Sequence, residues 1–311
     1  MRHNIKLSIS YGTTKKRIKK KLKEKERKYV TISPIMKSTI DKEQYLINSL
    51  NSKYIGDDAA VIGDTLYSMD AFFQDVHFKR EWMSMAQIGR KAMLVNFSDA
   101  IAMNAQPKYA LVTVSIPSDL THDEIDELTQ SMQSTAAEYG CEIIGGDTIG
   151  GDKLHLSITI ISKSKNPLLR TTVEEGDLLA YTGVLGESKR DLETLFRGEK
   201  IASDSRFYTP ILRGDFISKA RAFLHAGMDI SDGLFCDTNK LLDINKYGID
   251  ILKTINDDIG LSGEEYEMLI SFNEEDLEQI EAIAKETQTP LTVFAKVVKN
   301  EERFRCESHH F

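Results

Sequence analysis

Five aspartates fall within nineteen residues of one stretch, between apolar segments that are typical of strands. The stretch runs from Gly56 to Phe78. Its carboxylates are Asp57, Asp58, Asp64, Asp70 and Asp75. Carboxylates held close together repel one another, which raises their pKa values unless a cation neutralises them. Because Mg²⁺ prefers such oxygen ligands and is commonly shared with substrate phosphates, the stretch predicts either a divalent-metal site or a series of turns rich in aspartate.

Three further segments place an aspartate beside Ser, Thr or Gly at the edge of an apolar run. They are Asn96–Asp99, Gly145–Thr148 and Asp229–Gly233. Together with the first stretch they make four acidic segments in one chain. Four such segments favour a metal site formed by converging carboxylates over a set of unrelated turns.

Single residues near these segments have structural explanations beside the functional ones. A lone His77 is more often structural than catalytic, and Arg170 is either a solvated arginine or a planar fork for phosphate. Ser231 is most simply a helix cap. The acidic segment 263–267 has the composition of a helix start, where carboxylates suit the dipole. No P-loop, dinucleotide-binding glycine motif, HExxH or CxxC occurs in the sequence.

Charge is distributed unevenly along the 311 residues. Residues 1–35 hold twelve Lys or Arg and two Glu, although the whole chain has a net charge of −8. The remainder is therefore strongly acidic, which argues against a nucleic-acid-binding surface there. The basic extension predicts a disordered tail, with contact to nucleic acid or an anionic membrane as the alternative.

The sequence contains no feature of a secreted or membrane-bound protein. Its three cysteines fit neither a disulfide framework nor a zinc pattern. No apolar run reaches the length of a membrane helix, and the N-terminus has no apolar signal segment. We therefore expect a cytoplasmic protein that does not bind membranes.

Apolar periodicity and turn residues predict alternating strands and helices from about residue 41. Strands are expected at 59–63, 66–73, 108–117, from 141, at 154–161, 178–182, up to 229, at 249–254 and 291–298. Helices are expected at 41–50, 82–104, 121–139, 188–197, 214–224, 234–247 and 274–286. This alternation predicts an α/β chain of mixed sheets packed with helices. We expect a basic extension at 1–35, an N-terminal domain at 36–165 and a C-terminal α/β domain at 166–311.

Eight short motifs occur in a fixed order along the chain. They are GDDAAV at 56–61, SMD at 68–70, HF at 77–78, NFSDAIAMNAQP at 96–107, GGDT at 145–148, TGVLGES at 182–188, DISDGL at 229–234 and GEEYEML at 263–269. Together they resemble the thiamine-monophosphate kinase family, of the aminoimidazole ribonucleotide synthetase-like superfamily. The resemblance covers about residues 40–311.

This resemblance implies ATP-dependent, Mg²⁺-assisted phosphorylation of thiamine phosphate to thiamine diphosphate by direct in-line transfer. It also implies the two-domain fold of that superfamily, with ATP and Mg²⁺ binding and dimerisation in the N-terminal domain. The implied metal ligands are Asp58, Ser68, Asp70, Asp99, Asp147, Asp229 and Asp232. The implied ATP contacts are Gly146, Asp147, Arg170 and Ser231. His77 and Glu264 would bind thiamine phosphate, and no residue is assigned as base or nucleophile.

Four positions depart from the family pattern, among them Met69, where the family usually has Thr, and Ser262, where it usually has Gly. Glu265 stands where the family usually has Asp, and Ser308 stands where it usually has an aromatic residue near the C-terminus. Three alternatives therefore stay open. The chain could be another ATP-using enzyme of the superfamily, a non-catalytic nucleotide- or metal-binding relative, or a nucleic-acid-binding protein that uses its basic extension.

Overall fold

The computed structural model describes residues 42–306, apart from the side chains of Glu43 and Gln44. The basic extension at 1–35 and the C-terminal position Ser308 lie outside these residues. Within the described part of the chain, no helix combines the length and apolar character needed to cross a bilayer.

Helices and strands alternate through most of the chain. The helices are α1 (Lys42–Leu50), α2 (Met85–Ala102), α3 (His122–Glu138), α4 (Glu187–Phe196), α5 (Gly214–Ala220), α6 (Leu234–Asn245), α7 (Asp257–Gly260) and α8 (Leu277–Glu286). The strands are β1 (Ala60–Ile62), β2 (Thr65–Phe73), β3 (Gln106–Pro117), β4 (Glu142–Gly151), β5 (His155–Lys163), β6 (Leu178–Thr182), β7 (Leu224–Asp229), β8 (Gly248–Ile251), β9 (Met268–Phe272) and β10 (Leu291–Val298). Short 3₁₀ turns at Arg221–Phe223 and Glu274–Asp276 precede β7 and α8.

The first sheet is mixed and has the strand order β1-β2-β5-β3-β4. β3 and β4 run parallel because α3 connects them, whereas the other neighbours are antiparallel. Side chains alternate across each strand, so Leu156, Ile158 and Ile160 of β5 are buried on one face. That face packs against α2, and among residues 42–306 no helix has been placed on the opposite face of the sheet.

The second sheet is antiparallel throughout, with the order β7-β9-β6-β10-β8. Its central strands β6 and β9 are buried at every residue. Such strands carry apolar side chains on both faces, because helices cover both sides of the sheet. The mixed α/β architecture agrees with the fold class expected from the sequence.

Helix α2 lies between the two sheets, and this position organises the site. It packs against β2 and β5 of the first sheet and against β7 of the second. Its N-terminus has a capping box between Ser84 and Gln87, which starts the helix later than the predicted Trp82. Its buried residues include the polar Lys91, Asn96 and Ser98, so polar side chains are held inside the interface between the two halves.

Three segments differ from the prediction, and one of them is α7, which was not predicted at all. Residues 263–267 do not start a helix: they form the loop between α7 and β9, in which Glu264 and Tyr266 have left-handed φ values of 53° and 51°. Strand β9, which follows them, was not predicted because its residues, four apolar ones and Ser271, lack an alternating pattern. The division into domains at 165/166 stays a prediction. The segment between the two sheets packs against both halves: Leu168 belongs to a buried cluster with residues of the second sheet, and Leu169 packs against the buried cluster of the first sheet.

Candidate functional site

Three aspartates from distant parts of the chain converge between the two sheets. Asp58 precedes β1, Asp99 lies in α2 and Asp229 ends β7. One carboxylate oxygen from each lies within 4.8 Å of the other two. We refer to Asp58, Asp99 and Asp229 as the carboxylate cluster.

Arg170 fixes the loop that carries Asp58. Its backbone N–H donates to Oδ1 of Asp57 at 2.6 Å, and its guanidinium forms an ion pair with the Asp58 carboxylate. The Asp58 side chain is 1% exposed and that of Arg170 is 19% exposed. The buried pair therefore places one cationic group beside three acidic ones.

Helix α2 aligns the other two members of the cluster. The Ser98 hydroxyl donates to Oδ2 of Asp229 at 2.6 Å, which ties α2 to the end of β7. One face of the same helix carries Asn96, whose side-chain oxygen accepts the backbone N–H of Asp70 at 2.9 Å. Asn96 also donates to the carbonyl of Ala92 within its own helix at 2.9 Å. The side chains of Ser98 and Asn96 thus join α2 to one strand of each sheet by hydrogen bonds.

Strand β2 directs Ser68 and Asp70 to the same side of the first sheet. They are two residues apart and therefore share a face, which is the face covered by α2. Ser68 is 5% exposed. The Asp70 charge raises the pKa values of Asp99 and Asp229, so Asp70 lies close enough to the cluster to interact with it.

The cluster is electrostatically unfavourable when all its members are ionised. Burial raises the pKa of Asp58 to about 7, an effect that Arg170 opposes and Asp229 reinforces. Burial likewise raises the pKa of Asp229 to about 6, and Ser98 opposes the shift. The pKa of Asp99 rises well above its usual value through burial and through the charges of Asp70, Asp229 and Asp58. A cation bound among these groups would relieve the repulsion.

Two unsatisfied oxygens in the same region support a metal site. Oδ2 of Asp58 and Oγ of Ser68 are buried without a hydrogen-bond partner in the described part of the molecule. Buried polar atoms without partners are uncommon and call for an explanation. Carboxylate and hydroxyl oxygens are hard ligands of the type that Mg²⁺ takes. The residues present therefore fit a magnesium site.

A second set of acidic residues lies next to the cluster, in the loop between β7 and α6 and in α6 itself. Asp237, wholly buried in α6, accepts the backbone N–H groups of Ser231 at 3.1 Å and Asp232 at 3.0 Å. Lys240 forms ion pairs with Asp232 and, at 3.2 Å, with Asp237. Burial raises the pKa of Asp237 to about 6, opposed by Lys240. Asp237 therefore holds the backbone of this loop beside the carboxylate cluster.

The comparisons with known proteins agree with this geometry. Residues 56–163 match the family described as AIR synthase related protein, N-terminal domain. The thiamine-monophosphate kinase of Aquifex aeolicus (strain VF5) is 31% identical to this chain over 214 residues, which cover 66% of this chain and 70% of the relative. The chain belongs to the thiamine-monophosphate kinase family.

Solved structures of this kinase family have the same fold. The crystal structure of thiamine monophosphate kinase from Aquifex aeolicus matches with a TM-score of 0.72 at 26% identity, covering 83% of this chain and 94% of that one. AaThiL complexed with AMPPCP and TMP matches with a TM-score of 0.77 at 24% identity, covering 90% of this chain and 99% of that one. At 24% identity, the second likeness shows a common fold.

The other residues implied by the kinase resemblance lie in three places. Asp232 and Ser231 lie in the loop held by Asp237. Glu264 forms an ion pair with Lys91 at 2.6 Å. Nδ1 of His77 accepts the backbone N–H of Phe73 at 2.9 Å, so the N–H of the neutral ring is at Nε2.

Gly146 and Asp147 lie apart from the carboxylate cluster. Both are in β4, and β5 and β3 separate this strand from β2. They line a cavity of about 720 Å³ between β3, β4 and α3. A Cβ at Gly146 would come within 1.7 Å of the Val112 carbonyl oxygen, so close approach of the neighbouring strand already requires glycine there. The roles of Gly146 and Asp147 in binding ATP or metal stay predictions.

Among the buried charged residues that the sequence analysis missed, two lie next to the proposed binding residues. Asp237 follows the DISDGL motif by three residues, and Lys91 lies one turn before the NFSD motif. The signal that could have found each of them is a charge inside an otherwise apolar helical face, because Asp and Lys are rarely fully buried unless paired. Their partners, however, come from other elements or from a loop, and spacing alone does not identify them.

Proposed function

We propose that the chain transfers the γ-phosphoryl group of ATP to thiamine phosphate, giving ADP and thiamine diphosphate. The observation that carries the proposal is the convergence of Asp58, Asp99 and Asp229 beside Arg170 between the two sheets. Membership of the thiamine-monophosphate kinase family and the related fold that carries AMPPCP and TMP support this choice of substrates.

The carboxylate cluster is the proposed Mg²⁺ site. Asp58, Asp99 and Asp229 would hold the ion, with Ser68, Asp70 and Asp232 as the further proposed ligands. Asp147 lies on β4, apart from the cluster, and its role as a metal ligand stays a prediction. Bound Mg²⁺ would neutralise phosphate oxygens of ATP and so lower the repulsion between nucleotide and acceptor. The chain itself contributes buried carboxylates in fixed positions, set by Ser98, Asn96 and Arg170.

Positioning is the main task of the protein in this reaction, because phosphoryl transfer needs little covalent chemistry from side chains. An oxygen of thiamine phosphate attacks the γ-phosphorus in line while the bond to the β–γ bridging oxygen breaks, and ADP leaves with that electron pair. The attacking oxygen is already anionic near neutral pH, so the step needs no dedicated base. Gly146, Asp147, Arg170 and Ser231 are the proposed ATP contacts, and His77 and Glu264 the proposed contacts to thiamine phosphate.

Product analysis tests the proposal. Purified protein with ATP, Mg²⁺ and thiamine phosphate should form thiamine diphosphate, and Asp70→Asn should reduce its rate by at least about 100-fold, as expected for loss of a group that acts on the transition state. With γ-labelled ATP, direct transfer leaves no label on the protein. Binding of ATP without product would support the non-catalytic alternative, and turnover of ATP with another acceptor would support a different superfamily enzyme.

The proposed enzyme is a cytoplasmic homodimer that associates through the first sheet. On the sheet face opposite α2, exposed apolar side chains lie on β2, β3 and β4, with β5 between the first two of these strands. They are Tyr67, Met69, Tyr109, Leu111 and Ile149. An apolar patch of this kind usually marks a protein–protein contact. No disulfide joins the cysteines of the residues that the structure describes, which fits a reducing compartment.

A further inference from the structure

Lys91 is a fully buried lysine that the proposed phosphoryl transfer does not yet use. Its side chain is 0% exposed. Its ammonium lies 4.0 Å from the ring centre of Phe207 and 5.9 Å from that of Phe72, so the cation contacts aromatic faces rather than water. A lysine is almost never buried in this way unless it is paired with an anion.

The partner of Lys91 is the carboxylate of Glu264, with Nζ and Oε2 separated by 2.6 Å. The pair connects α2, which packs on the first sheet, with the loop that enters β9 of the second sheet. The Glu264 side chain is 31% exposed. One end of the pair is therefore enclosed by the protein, while the other can still be reached by a ligand.

The loop that carries Glu264 is held in a left-handed conformation at two non-glycine residues. Glu264 and Tyr266 have φ values of 53° and 51°. The N–H of Glu264 donates to the carbonyl of Ser231 at 2.7 Å, and its carbonyl accepts from the Ser188 hydroxyl at 2.9 Å. Non-glycine residues adopt this conformation at a cost, and such strain is concentrated at functional sites. The backbone is thus fixed, and Lys91 fixes the side chain.

The surroundings of the pair are strongly anionic. Glu264, Asp70, Asp229 and Asp99 all interact with the phenol of Tyr266, whose pKa their charges and burial raise together. Glu264 therefore shares one neighbourhood with the carboxylate cluster. A substrate that carries a phosphate would be repelled by an uncompensated glutamate here, because like charges at short range in a partly buried site are costly.

We propose that Lys91 is a positioning residue for substrate binding: it aims the Glu264 carboxylate and cancels its charge where thiamine phosphate binds. This inference rests on the proposed function. Phe72 extends the arrangement, since its ring stacks on that of His77 with centroids 5.8 Å apart. Lys91 is thereby in contact with Glu264 and, through one aromatic ring, is linked to His77, the two side chains proposed to bind thiamine phosphate.

The test compares Lys91→Met, Lys91→Arg and Glu264→Gln with the double variant Lys91→Met/Glu264→Gln in steady-state kinetics. Lys91→Met keeps the apolar stem and removes the charge. We expect it to raise the KM for thiamine phosphate about tenfold while the KM for ATP stays within about twofold, as loss of a charge-assisted contact predicts. Lys91→Arg should recover part of the loss. The double variant should raise the KM by less than the product of the single effects, because both changes break one pair.

The outcomes separate this inference from the proposed function. If the wild type forms thiamine diphosphate but Lys91→Met changes kcat without changing the KM for thiamine phosphate, Lys91 is merely structural and the inference is overturned. Multiplicative effects in the double variant would overturn it as well. If Lys91→Met does not fold, as judged by circular dichroism, Glu264→Gln decides: an unchanged KM for thiamine phosphate overturns the inference. Absence of product from the wild type contradicts the proposed function instead.

Discussion

At the scale of single residues, the site is a set of carboxylates that are held together against their mutual repulsion. The sequence pattern indicated acidic segments that contain Asp58, Asp99 and Asp229, and the resemblance to the kinase family singled out these three as metal ligands. Burial of Asp237 and Lys91 could not be predicted in the same way, since it depends on which distant elements cover them. Their partners are the loop at 231–232 and Glu264.

The raised carboxyl pKa values predict how stability depends on pH. Folding moves the pKa of Asp58 from 3.8 to about 7 and that of Asp229 to about 6. The ionised forms are thus disfavoured in the folded state, and stability without metal should fall as pH rises from about 4 to about 7. Mg²⁺ requires the ionised forms, so its stabilising effect should be largest above about pH 7 and fade towards pH 6.

Thermal unfolding with and without Mg²⁺ across this pH range measures both effects. Asp64→Asn is the matched control, because Asp64 lies in the same acidic stretch but is exposed and paired with Lys163. It should show the same Mg²⁺ response as the wild type. A Mg²⁺-induced rise in Tm that is equal at pH 6 and pH 8 would contradict the assignment of the cluster as the metal site.

At the scale of elements, periodicity predicted most helices and strands because one face of each is apolar. It failed at 263–267, where the acidic composition of a helix start instead forms a loop with φ above 50° at Glu264 and Tyr266. Tertiary hydrogen bonds to Ser231 and Ile230 impose that conformation, and no local signal encodes them. It also missed β9, because a strand buried on both faces has no alternation to detect.

The contact between α6 and the loop before it gives a prediction at this scale. Asp237→Ala removes the acceptor of two backbone N–H groups and leaves Lys240 with one partner fewer. We expect a loss of about 3 kcal/mol in the free energy of unfolding, the range for breaking a buried charged pair, together with lower activity through the displaced Asp232. Urea denaturation measures the stability term.

Asp243→Ala is the matched control for this prediction. Asp243 lies in the same helix, but its side chain is 66% exposed and it pairs with Arg303 near the surface. Its removal should cost less than about 1 kcal/mol. Equal losses in the two variants would mean that Asp237 has no special part in holding the loop.

At the scale of the whole molecule, α2 packs on both sheets and carries Ser98 and Asp99 to the junction. A site formed by residues from β2, α2 and β7 cannot assemble unless both halves are in place. The sequence predicted the α/β class and the order of the motifs along the chain. It did not reveal which face of the first sheet α2 and α3 cover, since that depends on how these helices pack in the folded chain.

The exposed apolar side chains of the first sheet predict the oligomeric state. The wild type should sediment as a dimer, and Met69→Lys combined with Leu111→Lys should shift it to a monomer, because two charges would be buried in the interface. Leu252→Lys is the control, since Leu252 is exposed but lies after β8 in the other half. Sedimentation velocity distinguishes the species. A dimer that survives the paired lysines would mean that the chains associate through another surface.

The central claim is that Asp58, Asp99 and Asp229 form the magnesium site of a phosphotransferase. The most direct measurement is the rate of thiamine diphosphate formation as Mg²⁺ is titrated, for the wild type, Asp229→Asn and the control Asp64→Asn. We expect Asp64→Asn to follow the wild-type curve. Asp229→Asn should need at least about tenfold more Mg²⁺ or lose activity altogether, as loss of a charged ligand implies. If Asp229→Asn gives the wild-type curve, the carboxylate cluster is not the metal site.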